Sequence, residues 1–141
     1  MIHDKTSAHN ETIETEAIKH LMRNLDKLFE TLSKSPFRSK FHLQGKDLVY
    51  LRTKGLPTVI VHAGDFVAKR LAPAVLQNDG KQTPFRGHPV FVAQHATACC
   101  CRGCLEKWHG IARGSALTPD EQAYVLKVLE RWLNNEMSKL A

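Results

Sequence analysis

Between His88 and His109 the chain reads HPVFVAQHATACCCRGCLEKWH, which holds all four cysteines (Cys99, Cys100, Cys101, Cys104) and three of the eight histidines. Cys101-Arg102-Gly103-Cys104 is a CxxC pair. Two thiolates at that spacing lie on one turn and suit a shared metal ion, most often zinc. Two ligands do not complete a site, so the neighbours matter. His109 extends the pattern to C-x2-C-x4-H, the opening of a zinc knuckle, but the fourth knuckle position falls on Gly114. If 101–109 is one helix, His109 lies about 12 Å along its axis from Cys101 and cannot share an ion with both cysteines. His88 and His95 are separated by about 10 Å for the same reason, so at most one joins. The expected ligand set is Cys101 and Cys104, completed by Cys100 and His95, with zinc the expected ion and iron or an iron–sulfur cluster the less favoured one.

The same residues allow other chemistry. His88, His95, His109, Glu106 or Asp65 can serve as acid or base if the ion keeps a position for water, as a metal-dependent enzyme requires. Arg102 and Lys107 beside the thiols lower thiol pKa values, which favours metal binding and thiol redox chemistry equally. No obvious strand precedes the CxxC, which argues against a thioredoxin-like arrangement. The plain alternative is that some cysteines are buried small hydrophobes, Cys99 above all. His42 and His62 stand alone and read as core or surface residues, and Trp108 and Trp132 as core.

The elements that hold these residues read as helices. Ile13, Ala17, Leu21, Leu25, Leu28 and Leu32 form one stripe, which predicts a helix over 12–33 that Ser35-Pro36 ends. Residues 1–10 show no apolar period and read as a flexible N-terminus, followed by a single α-helical domain over 11–141. Phe37 to Leu43 is a connector or a brief turn of helix. Further helices are expected over 46–54, closed by Gly55, over 58–71 and from Pro89 to about Ala98. Another runs from Cys101 to His109 and stops at Gly110. Thr118-Pro119-Asp120-Glu121 is a capping sequence that starts the last helix, which runs to about Met137. The expected fold is therefore mostly or all α, with five to six helices. The long connection 72–88 contains Pro73, Gly80, Pro84 and Gly87, and a loop of that length is usually functional or mobile.

A content of 43% hydrophobic and 24% charged residues excludes a disordered chain. Apolar runs are too short for a membrane span, and the N-terminus lacks the apolar core of a secretory signal, so a cytoplasmic protein with free thiols is expected. The charge is uneven: residues 34–117 carry thirteen basic and four acidic groups, whereas 1–33 carry four and six. Such a basic centre attracts nucleic acid or another polyanion, with Lys81, Arg86, Arg102, Lys107 and Arg113 as expected phosphate contacts.

RGHPVFVAQHATACCCRGCLEKWHGI (residues 86–111), with GKQTP upstream, resembles the signature of a bacterial domain-of-unknown-function family that carries a CCRxC core followed by a Trp-His pair. The similarity runs from about Phe37 to Trp132. In that pattern the position of Cys99 is usually Thr, which implies that Cys100, Cys101 and Cys104 are the thiols that matter. The resemblance brings no activity with it.

Overall fold

A computed structural model describes residues 24–139. Among these residues there are helices and no strands, as the sequence pattern predicts. The helices are α1 (24–33), α2 (Pro36–Ser39), α3 (Gly45–Lys54), α4 (Leu56–Arg70), α5 (Pro89–Ala96), α6 (Arg102–His109) and α7 (Pro119–Ser138). The expected flexible N-terminus and the first half of the expected 12–33 helix lie outside the described residues. No helix is long and apolar enough to cross a membrane.

The chain divides into two units after Lys34. In the first, α1 presents Leu25 and Leu32 as buried residues and pairs Glu30 with Lys34 across one turn. In the second, α7 is the axis. Its buried stripe Val125, Val128, Leu129, Trp132 and Leu133 follows the 3.6-residue period, and α4 and α5 pack against it most extensively. Val59, Ala63 and Val67 of α4 and Val90 and Ala93 of α5 complete this core. Thr118 and Glu121 make the reciprocal capping box that their spacing predicts. Consecutive β-branched residues in α4 stay helical because Val59, Ala63 and Val67 need one buried face, whereas Val61 points to solvent.

Near the other end of α7, the buried carboxylate of Glu136 accepts the Leu43 N–H at 2.9 Å and lies 3.3 Å from His42. It thereby anchors the segment between α2 and α3. The Phe37–Leu43 region does contain a helical turn, capped by Ser35, whose hydroxyl accepts the Arg38 N–H.

The cysteine stretch is placed by the way α5 stops. Cys99 N–H donates to Gln94 O at 2.7 Å and Ala98 N–H to His95 O at 3.4 Å, the paired bonds of a Schellman motif. The residue that must turn left-handed is Ala98, at φ 61°, the one described non-glycine residue with positive φ. Glycine is the usual occupant, so the sequence carried no stop signal here and the helix was expected to reach Ala98. Ala98 is fully buried. Ala98→Val therefore adds β-branching to a left-handed backbone and overpacks the turn. A loss of about 1–3 kcal/mol is expected in chemical denaturation. Ala98→Gly should stay within about 1 kcal/mol of the wild type, because relief of strain offsets added chain entropy.

Candidate metal centre

From the Schellman turn the chain passes through Cys99 and Cys100 to Cys101, which is extended (φ −157°, ψ 169°) and caps α6. Its sulfur accepts the Cys104 N–H at 3.4 Å. That bond turns both CxxC sulfurs to one side of the first turn, where Cys100 reaches them from the preceding turn. The sulfurs of Cys100, Cys101 and Cys104 lie within 4.8 Å of one another, the one such group of three metal-binding side chains among the described residues. Thiolates sharing a tetrahedral zinc at about 2.3 Å sit about 3.8 Å apart, so small side-chain movements close the site on an ion. A Cβ at Gly103 would make only ordinary contacts, with Arg113 Nη1 at 3.4 Å and the Cys101 sulfur at 3.9 Å, so the centre does not depend on glycine there.

Arg38 is the fourth member of this centre. Its side chain reaches inward from α2 and is 9% exposed. Nη1 donates to His95 O at 2.8 Å and lies 3.7 Å from the Cys100 sulfur, and Nη2 donates to the Cys104 sulfur at 3.1 Å. Phe37 and Trp108 cover the guanidinium, 4.9 and 5.9 Å from their ring centres. Spacing along the cysteine motif does not reveal this residue. The available signal is the basic-aromatic segment FRSKF, which reads as a connector or a brief turn of helix without a role at the cysteines.

The charges at the centre are interdependent. The Cys104 thiol, with help from Arg38, lowers the Cys100 pKa against the opposing effect of burial. The hydrogen bond to Cys100 and then burial raise that of Cys104. Burial raises the Cys101 thiol, and pushes Cys99 up to about 12. Cys100 is thus the thiol of the three that ionises first, with Cys104 and Arg38 placed to donate to its sulfur. Burial disfavours the charge on Arg38, but the bonds to Cys100 and Cys104 outweigh it and raise its pKa.

The remaining site expectations have separate fates. His95 does not join the three sulfurs. Its Nε2 donates to Thr83 O at 3.0 Å, and its ring stacks on Phe85 at 4.2 Å. Helix spacing could not anticipate this contact, because Thr83 lies in the long loop. His88 caps α5 by accepting the Val90 N–H at Nδ1, so its Nε2 carries the proton and faces His62 Nδ1 at 3.3 Å. Tyr50 hydroxyl lies 3.3 Å from the same His62 nitrogen. His109 Nε2 donates to Thr97 O at 2.9 Å, and its Nδ1 accepts from Tyr124 at 2.7 Å. Glu106 accepts the Arg113 N–H at 3.0 Å and lies on the surface.

Arg102 overturns its assignment as a phosphate contact. It is 4% exposed, and its guanidinium donates to the carbonyls of Pro73 at 3.1 Å, Ala112 at 2.9 Å and Ser115 at 2.8 Å. Its backbone N–H donates to Asp79, which also pairs with Arg113. Arg113 is therefore committed to an ion pair. Burial opposes the Asp79 charge, but the bonds from Arg102 N–H, Gln82 and Arg113 hold its carboxyl below the usual range. Lys81, Arg86 and Lys107 are exposed. The long loop is tied down as well, since Thr83 hydroxyl donates to Cys100 O at 2.8 Å.

A family model described as a domain of unknown function (DUF4186) matches residues 26–134. No solved structure matches the chain.

Two outcomes are expected. In metal-free protein, Arg38→Met should raise the pH at which the first thiolate absorbs near 240 nm, because Cys100 loses its cation. Separately, His88, His95 and His109 each have a pKa lowered chiefly by burial. The unfolded chain then binds more protons below about 6.5, so stability is complete above that value and falls as pH drops through it toward the folded-state pKa values. Urea denaturation across this range checks the slope, which should be shallower in His88→Asn.

Proposed function

The chain belongs to the DUF4186 family, whose description assigns no activity, and we propose that it binds a single divalent thiophilic ion, zinc, through Cys100, Cys101 and Cys104, with Arg38 as the built-in counter-charge. The observation that carries this reading is the placement of three sulfurs within 4.8 Å of one another beside a buried guanidinium. Thiolate donors in so compact a set suit zinc, whereas an iron–sulfur cluster places its cysteine sulfurs on separate irons and farther apart. Charge supports the same choice. A divalent ion with three thiolates is one unit negative, and Arg38 returns the centre to neutrality.

Binding releases the thiol protons to solvent: each sulfur that gives its electron pair to the ion loses its hydrogen. The amide of Cys104 holds the Cys101 sulfur in place, and the guanidinium of Arg38 does the same for the Cys104 sulfur. Three protein ligands leave one coordination position for water or an exchangeable ligand, the arrangement of catalytic rather than closed structural zinc. This favours a metal-dependent enzyme as the second reading. Thiol redox chemistry by Cys101 and Cys104 is a third, and it requires the metal-free state. A polyanionic partner keeps the support of the basic centre through Lys81, Arg86 and Lys107, without Arg102.

Titration of reduced protein with zinc and with cobalt tests the proposal. One equivalent per chain is expected, with thiolate-to-cobalt charge-transfer absorption. Cys101→Ser and Cys104→Ser should each weaken binding by at least tenfold, and Cys99→Ala should leave the stoichiometry unchanged. No binding by the wild type, or equal binding by the Cys101 and Cys104 variants, would sink the assignment.

A further inference from the structure

The face of the centre formed by α2 and the end of the long loop is aromatic and exposed. Phe37 and Phe85 are 42% and 60% exposed, unusual for rings of that size. They belong to one contiguous set. Phe37 meets Phe41 edge-on at 5.3 Å, and Phe41 and Phe85 are nearly parallel at 6.4 Å. His95 lies parallel to Phe85 at 4.2 Å, so one face of that ring is covered and the rest of its surface is left to solvent. The platform is rigid, because Thr83 is bonded both to His95 and to the carbonyl of Cys100.

The exposed charges adjoining these rings in sequence are cationic. Lys40 Nζ stands 4.6 Å from the Phe37 ring centre and 5.6 Å from that of Phe41. Arg86, next to Phe85, is exposed. Neither of the segments that build the face, 35–46 and 80–105, contains an Asp or Glu, and the Glu136 carboxylate that meets the first of them is buried on the Leu43 N–H. Exposed cations beside these rings attract a polyanion. Flat π-faces interleaved with cations match the alternation of base and phosphate in an unpaired strand, where stacking is tolerant of sequence and the cations track the backbone.

We propose that Phe37, Phe41 and Phe85, with Lys40 and Arg86, form a stacking surface for single-stranded nucleic acid. A base stacks on Phe85, while Phe37 and Phe41 extend the aromatic surface beside it, and Lys40 and Arg86 take the adjoining phosphates. The inference deepens the polyanion reading of the basic centre and stands apart from metal binding, because none of these five side chains is a proposed ligand.

Fluorescence anisotropy with fluorescein-labelled oligo(dT) and oligo(U) of about ten nucleotides tests it. The wild type should bind both at low salt, with affinity falling steeply as potassium chloride rises. Phe85→Ala should weaken binding by about tenfold, in line with about 1–3 kcal/mol per stacked base. Lys40→Gln should flatten the salt dependence by about 0.7 of a unit of slope. Metal content and circular dichroism of each variant report separately on the metal centre and the fold. Should Phe85→Ala lose its fold, Phe85→Trp replaces it, and quenching of its emission by the oligonucleotide is expected. Absence of wild-type binding at low salt would overturn the proposal. So would full affinity in a folded Phe85→Ala variant, or an unquenched Phe85→Trp.

Discussion

Thiols packed as closely as those of Cys100, Cys101 and Cys104 cannot all ionise unless positive charge is brought to them, and this constraint organises the second unit of the molecule. One positive charge is supplied by the chain itself. Burying a guanidinium carries a large desolvation cost unless its hydrogens find acceptors, and Arg38 finds them in two sulfurs and the His95 carbonyl. The dependence runs both ways: the guanidinium favours ionisation of Cys100, and the sulfurs of Cys100 and Cys104 favour the charge on Arg38. Because Arg38 stands on α2, His95 ends α5 and Cys104 lies in the first turn of α6, one cluster of contacts fixes three elements relative to one another.

Arg102 solves the same burial problem by different means. Its guanidinium accepts no carboxylate partner; it is surrounded by backbone carbonyls from the end of α4 and from the loop before α7. The end of a helix carries partial negative charge, and these oxygens take the hydrogens of Nη1 and Nη2, while the buried Nε–H has no partner among the described residues. The arginine inside the CxxC motif is thus structural, and the arginine far from it in sequence completes the centre. The long loop follows from these attachments. Asp79 caps α6 through the Arg102 N–H, and Thr83 ties the loop to Cys100, so the segment is a strap across the cysteine turn.

Much of this was legible in the sequence, and the reasons for the rest are physical. Apolar periodicity located the helices and the capping sequence at Thr118 located the start of α7, because both signals are local. The three sulfurs were legible for the same reason, being separated by at most four positions. Arg38 was not, since its partners lie 62 and 66 positions away and no spacing rule spans that distance. His95 was misplaced toward the ion because helix geometry relates residues on one axis and is silent about a carbonyl arriving from a loop. The stop after α5 was hidden by Ala98, which adopts a conformation normally announced by glycine. Arg102 was read by its type and neighbours, whereas burial decides its role.

The attachment of Glu136 to the Leu43 N–H spans 93 positions, and the contacts of Arg38 with the His95 carbonyl and the Cys100 and Cys104 sulfurs span 57 to 66. Helical proteins fold fast when their contacts are local, and distant contacts require long loops to close before any stabilisation is returned. The acceptors of the Arg38 guanidinium all lie outside the short helix α2 that carries it. The place of that helix is therefore settled only when α5 and α6 are settled, and the centre forms with the tertiary fold rather than with any local element.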